Sequence, residues 1–339
     1  MTAATKRHLY LVFGILISVV LLWILFRDIK FDELIGTLKA ANYWWLIPNV
    51  AFIVLTMYQR AWRWHFMVAP IKKVPFSKLL AATCVGFMAN NVLPLRLGEF
   101  VRAYSLSSQD RGITKSASLA TIFVERMVFD LVALLLIFGV IFWFSPNLRG
   151  HVDDNIIVGV YTAIVIALVG IVLVLVLALK PDRVGEMLTK YLFFLPEKAK
   201  EAIKYVIIKF SRGLEFITNP KMVSAVSLHT LLIWVLMGLS NLFVFAVFGF
   251  DIPIAAAFVV LVVVSISILI PSSPGFVGVY HYGAALSLVA YGINKENALS
   301  CALVLHATQY IVVTAMGFYF LKKEHLSLKK LQQEASDEV

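Results

Sequence analysis

Ionisable and polar side chains set inside long apolar stretches are the residues of this sequence able to do chemistry, and they gather in three places. The first is NNVLPLRLGEFVRAYSL, Asn90–Leu106. Asn90, Asn91 and Pro94 stop a helix, Gly98 permits close backbone approach, and Glu99 and Arg102 fall one turn apart on the following helix. Arg96 and Arg102 can hold a phosphate by paired hydrogen bonds, or they mark a membrane surface while Glu99 pairs with Arg102. The second place is Ala117–Phe144, where Glu125, Arg126 and Asp130 lie two to three turns inside an apolar run. Each such group costs at least about 2.5–3.5 kcal/mol to insert, so it faces a cavity or a partner. Arg126 and Asp130 are four apart and can pair within their helix. Glu125 then needs a cation from elsewhere, for which Arg96 or Arg102 is the natural candidate. The third place is PSSPGFVGVYHYG, Pro271–Gly283. Ser272 and Ser273 lead into it; Ser273 suits a helix cap, Pro274 the first helical position, and Gly275 and Gly278 tight packing. His281 follows, and His306, Gln309 and Tyr310 share a face of the last apolar run. These histidines suit a proton relay or simple hydrogen bonding to a neighbour. Both breaks free N–H groups at the positive end of a helix, which favours an anionic ligand.

The elements that must position these residues follow from composition. Of 339 residues, 60% are hydrophobic and 15% charged, against about half and a quarter in a soluble domain. A water-soluble particle of this size cannot bury that much apolar surface, so the expectation is an all-α polytopic transmembrane bundle. Six stretches are long enough to cross: Leu9–Phe26, Tyr43–Arg60, Ala117–Phe144, Ile156–Leu179, Met222–Phe248 and Ala298–Leu321. The first, behind Lys6 and Arg7, reads as a retained anchor because no small-residue cleavage site follows. Two interrupted segments remain, Phe76–Leu95 and Ile252–Gly292.

Loop charges decide how they lie. Lys72, Lys73 and Lys78 precede the first interrupted segment, and Arg96, Arg102, Arg111 and Lys115 follow it. Both flanks are cytoplasmic by that rule, so the segment enters and leaves from one side. The second is either a hairpin from the other side or two short crossings. The expected architecture is six full spans plus two re-entrant hairpins, or eight spans. The halves, about 43–144 and 222–321, read as an inverted repeat with breaks at Pro94 and Pro271. Residues 145–221 connect them, with an amphipathic interfacial helix at 196–220, and 1–321 form a single membrane domain. A short stripe of Phe31, Leu34, Ile35 and Leu38 lies on the outer face, and 322–339 form a polar, mobile cytoplasmic tail. The net charge of +10 is then the positive cytoplasmic side of a membrane protein, not a nucleic-acid footprint. Cys84 and Cys301 form neither a disulfide framework nor a metal site, and no P-loop, zinc-protease, CxxC or nucleophile-elbow motif occurs. No cofactor is expected.

Three motifs in order, NNVLPLRLGE at Asn90–Glu99, VERMVFD at Val124–Asp130 and PSSPGFVGVYH at Pro271–His281, give the sequence a family likeness. From about Tyr10 to Leu321 it resembles the lysylphosphatidylglycerol-synthase transmembrane region, also called the flippase-like or UPF0104-type family. The resemblance implies a bacterial or archaeal cytoplasmic-membrane domain that, in its best-understood members, moves modified phospholipids between leaflets. Those members continue into a soluble aminoacyl-transferase domain. This chain ends at Val339, so a protein other than the synthase is expected. Where many members have an acidic residue shortly after the second turn, this sequence has His281.

The functional expectation is a lipid flippase-like transporter, not an enzyme. Asn90, Asn91, Arg96, Glu99, Arg102, Glu125, Arg126, Asp130, Ser272, Ser273, Gly275, His281, His306 and Gln309 would line a groove for an anionic head group. The expected partners are membrane lipids, with a membrane enzyme or a second copy of the chain also possible and both termini cytoplasmic. The alternatives are a membrane enzyme or accessory subunit of lipid or glycolipid modification, with Glu99, Glu125 and His281 as acid–base groups, and a non-catalytic scaffold.

Overall fold

The computed structural model describes residues 3–110, 112–144, 154–192 and 196–336. Arg111 of the expected basic flank, 145–153 and 193–195 of the connector and 337–339 of the tail lie outside them. The described chain is helical throughout: α1 Ala3–Phe26, α2 Phe31–Ala40, α3 Leu46–Val68, α4 Phe76–Val92, α5 Gly98–Gln109, α6 Lys115–Val124, α7 Leu131–Phe144, α8 Asp154–Leu179, α9 Pro181–Tyr191, α10 Glu197–Arg212, α11 Pro220–Val247, α12 Ile254–Ser267, α13 Val279–Ala290, α14 Lys295–Lys323 and α15 Leu328–Ser336. A helix satisfies its own backbone, which is what hydrocarbon demands of a spanning segment. Four described helices are long and apolar enough to cross: Lys115–Trp143, Tyr161–Leu179, Pro220–Val247 and Lys295–Lys323. A bent pair, Val12–Phe26 with Phe31–Ala40 at 89°, makes a fifth if counted as one span. On α8, Val158, Val165, Leu168, Val172 and Leu173 are all more than half exposed, a surface suited to lipid and costly in water.

The element starts have local causes. Thr114 accepts from the Ala117 N–H to cap α6, Asn219 from Lys221 ahead of Pro220 in α11, and Asn294 from Asn297 in α14. Both interrupted segments fold as helix pairs. Lys78 Nζ donates to the Gln109 carbonyl at 2.8 Å, so the far ends of α4 and α5 meet. Nearer the turn, Gly98 lies on the Gly86 carbonyl and on Asn90, and Gly86 lies on Arg102. Small residues make α4 the innermost helix: Ala81, Ala82, Cys84 and Val85 are fully buried, and Gly317 of α14 sits against Met88 and the Cys84 carbonyl. In the second pair, Gly283 of α13 seats on Ser267 and Val263 of α12. Across the halves, α3 packs on α11, α4 on α14, and α12 on α7.

The two breaks adopt one local conformation. Each is a 3-10 turn opening with proline, Pro94–Arg96 and Pro274–Phe276. The second and third residues of each have positive φ: 64° and 55° at Leu95 and Arg96, 73° and 60° at Gly275 and Phe276. Three of these four are not glycine, so surrounding contacts must hold the backbone where it costs energy to be. Pro274, not Pro271, is therefore the conformational counterpart of Pro94.

Four sequence expectations change. The expected second span becomes α3, which runs on to Val68 with Arg60 and Arg63 buried inside it and is not among the described helices long and apolar enough to cross. The new helix after the second turn begins at Val279, not at Pro274, and Ser273 makes no capping bond. The expected helix 196–220 stops at Arg212, and Gly213 presses on Ala117 and Ala120 of α6. The tail is not free: α15 packs on α5, and Leu331 is buried. At the same end, the Lys72 ammonium at 2.6 Å and the Gly112 N–H hold the Asp110 carboxyl below its ordinary value.

Gly98→Val drives a side chain into the Gly86 carbonyl and Asn90, so it lowers stability by about 1–3 kcal/mol, the usual cost of overpacking. Gly139→Val, where nothing lies within 4 Å of an added Cβ, is the control and is expected to be nearly neutral. Thermal unfolding in detergent checks the pair; equal melting temperatures for the two variants would refute the close α4–α5 contact.

Candidate functional site

Arg63 organises the largest buried polar group. It stands on α3, fully buried, with its guanidinium 2.7 Å from Glu125 Oε1 and 2.6 Å from Asp130 Oδ1. It also donates to Thr230 Oγ1 of α11 at 3.1 Å. Two carboxylates five residues apart diverge by about 140° on an α-helix. Here Glu125–Asp130 is a π-helical segment between α6 and α7. Its i→i+5 bonding widens the turn and brings Glu125 and Asp130 round to one guanidinium.

The first hairpin joins this group through α5. Arg102, 2% exposed, donates to Glu125 Oε1 at 2.8 Å and stacks on Trp64 at 4.1 Å. Arg126 bonds Asp130 Oδ2 at 3.1 Å and lies 3.6 Å from Glu99 Oε1. Glu99 accepts in turn from Asn90 Nδ2 at 3.3 Å, and Asn90 Oδ1 accepts from the Gly98 N–H at 2.8 Å. Glu99 therefore pairs with Arg126 and Asn90, not with Arg102 as its one-turn spacing suggested. The Glu99 and Arg126 side chains are about 30% exposed, so this edge of the group is its open side. Arg60 completes the set: buried, over Phe87 at 4.6 Å, with Nη2 bonded to Met237 Sδ at 3.1 Å. Buried Nε of Arg63, Nε and Nη2 of Arg102, and Oε2 of Glu125 have no protein partner.

The second break carries a neutral group. His306 donates from Nε2 to the Gly275 carbonyl at 2.8 Å, since a carbonyl can only accept. Its Nδ1 then accepts from His281 Nε2 at 3.1 Å, and His281 Nδ1 accepts the Gly278 N–H at 3.3 Å. The pair thus clamps the turn from both sides with both rings neutral. Tyr280 stacks on His306 and bonds Gln309 Oε1 at 3.3 Å. Ser273 turns the other way, its N–H bonded to Ser18 Oγ of α1 at 2.9 Å, while the Ser272 backbone lies against Gly14. Ser272 and Ser273 are thus not brought to the charged group.

The two breaks touch. The Asn91 carbonyl lies against Gly275, Asn91 Nδ2 donates to Thr314 Oγ1 of α14 at 2.9 Å, and Arg96, exposed, stacks on Phe276 at 5.1 Å. Adjacent asparagines thus divide the work: Asn90 faces the charged group and Asn91 faces α14. Among the described residues no His, Cys, Asp or Glu cluster could hold a metal.

Arg60 and Arg63 were absent from the sequence-derived site because basic residues at a span's end read as its boundary. The signal was present, since Trp64, Phe66, Met67 and Val68 continued the apolar pattern past both arginines. Removing one partner of such a buried pair strands the other, at about 3–5 kcal/mol. Arg63→Met is expected to lose that much stability in detergent, read by thermal unfolding. A wild-type melting temperature would mean that the ion pairs do not hold α3 to the π segment.

Residues 11–317 match the family described as the lysylphosphatidylglycerol synthase TM region. Two curated relatives are each 24% identical. One is a UPF0104 membrane protein of Methanothermobacter thermautotrophicus, aligned over 89% of this chain and 92% of the relative. The other is the glycosyltransferase AglD of Haloferax volcanii, aligned over 98% of this chain but 57% of the relative, so the chain spans little more than half of that protein. No solved structure matches the chain. With its apolar helices, the match makes this a multi-pass membrane protein, and the chain belongs to the lysylphosphatidylglycerol synthase TM region family.

Proposed function

We propose that the protein is a flippase-like transporter that moves an anionic or modified phospholipid, or a lipid-linked head group, between leaflets. The observation that supports it most is the buried arginine–carboxylate group beside the point where two broken-helix hairpins meet. Irregular backbone at membrane depth is tolerated where protein buries it or where it lines a wet cavity. Six full spans and two re-entrant hairpins from opposite sides fit the matching turns at Pro94–Arg96 and Pro274–Phe276. The reciprocal packing of α4 on α14 and α12 on α7 fits an inverted repeat. The head group would pass the open edge at Arg126 and Glu99 while the acyl chains stay in lipid, and exchange between states open to either side would carry it across. Without an ATP-binding motif, the cycle runs downhill or on a gradient. In this reading both termini face the cytoplasm from the cytoplasmic membrane, and the basic residues Lys72 and Lys78 beside the docked tail support it.

A second reading, an enzyme or accessory subunit of lipid or glycolipid modification, draws on the relative named a glycosyltransferase. It uses Glu99 and Glu125 as acid–base groups in the same place.

Purified protein in vesicles carrying labelled phosphatidylglycerol is expected to speed leaflet exchange over empty vesicles. Glu99→Gln, at the half-open edge, is expected to slow it at least about tenfold with little change in folding. Exchange equal to that of empty vesicles across several anionic lipids would reject transport, and head-group turnover by the purified protein would support the enzyme reading in its place.

A further inference from the structure

Arg60 is the buried guanidinium of the group that no carboxylate holds among the described residues. Glu125 and Asp130 lie within its electrostatic reach, but Glu125 is bonded by Arg63 and Arg102, and Asp130 by Arg63 and Arg126. Arg60 has instead a thioether and the face of Phe87, and Arg126 stands over the same ring at 5.1 Å. Four buried or half-buried guanidiniums, of Arg60, Arg63, Arg102 and Arg126, thus meet three carboxylates, of Glu99, Glu125 and Asp130. Arg96, near Glu99 and Arg126 but exposed, is screened by solvent and is not counted with them. A buried cation without a counter-ion is costly in a low-dielectric interior, and a second cation on the same ring adds to that cost. One anion placed between them would relieve both. The way in is already there: Phe87, Asn90, Glu99 and Arg126 are only half-buried.

We infer that Arg60 and Arg126, beside Phe87, form the binding subsite for the phosphodiester of a membrane lipid, and that the group's single excess positive charge selects a monoanion. This rests on the lipid-transport reading. A phosphodiester offers two non-bridging oxygens, one to each guanidinium, much as Asp130 offers Oδ1 to Arg63 and Oδ2 to Arg126. A phosphomonoester or diphosphate brings a second negative charge and leaves the group with an uncompensated anion.

The test uses the full-length protein in detergent, with binding followed by native mass spectrometry and melting temperature. The probes are phosphatidylglycerol, phosphatidic acid at about pH 8, where its phosphomonoester is doubly charged, diacylglycerol and inorganic phosphate alone. Phosphatidylglycerol is expected to bind most tightly and diacylglycerol not at all. Arg60→Met is expected to weaken phosphatidylglycerol binding at least about tenfold, and Arg60→Lys to fall between it and the wild type. Because Arg60→Met removes an unpaired charge, the lipid-free variant is expected to melt no lower than wild type, the opposite of Arg63→Met. Tighter binding of phosphatidic acid, unchanged binding by Arg60→Met, or destabilisation matching that of Arg63→Met would each overturn the subsite. Inorganic phosphate binding as tightly as phosphatidylglycerol would overturn the lipid assignment. Unchanged binding by Arg60→Met while the wild type still exchanges lipid between leaflets sinks the subsite and leaves transport standing; absence of both binding and exchange sinks both.

Discussion

A buried charge must have a partner, and in this protein Arg63 meets that requirement for two carboxylates at once. The contact ties α3 to the π-helical segment at Glu125–Asp130 and, through Thr230, to α11. Arg102 shares Glu125, which brings in the first hairpin, and Arg126 passes the linkage on to Glu99, Asn90 and the backbone of Gly98. Five elements that also share one apolar cluster, from Trp64 and Leu79 to Ala103, Phe129 and Val226, are thereby held to one point. The π turn is the backbone's adjustment to the same demand, since an ordinary helix would point one of the two acids away.

The two hairpins carry the same strained turn and stabilise it by different means. In the first, the chain after the break is fixed by a network that ends in charges. In the second, two neutral histidines bridge from the Gly278 N–H to the Gly275 carbonyl, and Tyr280 covers them. Strain of this kind persists only where surrounding contacts over-determine it. Both turns are so held, and they touch each other at Asn91 and Gly275, the junction beside which the proposed function is centred.

Much of this was legible in the residues. Four of the six expected spans followed from apolar runs, and the two interruptions from Asn90, Asn91, Pro94 and the PSSPG turn. The Arg126–Asp130 pair followed from the rule that a buried charge needs a neighbour, and the same rule offered Arg102, with Arg96 as the alternative, to Glu125. What escaped was decided by tertiary geometry. Arg63 sits where a span's end is expected, so its burial depends on how far α3 runs alongside α11. The rotation that lets Glu125 and Asp130 share it arises from a π turn, which no local pattern announces. Pro271 and Pro274 look alike as breakers, and only the backbone angles reveal which matches Pro94. The tail reads as polar because one buried leucine, Leu331, does little to its composition.

The charged group beside the paired hairpins is proposed to receive a lipid head group. An experimental density map of the protein in a phosphatidylglycerol bilayer tests this most directly. The expected result is a lipid with its phosphate between Arg60 and Arg126 and its acyl chains leaving past the half-exposed edge at Glu99. A well-resolved map with lipid only around the outer helices, and the space beside Phe87 closed by protein, would contradict it.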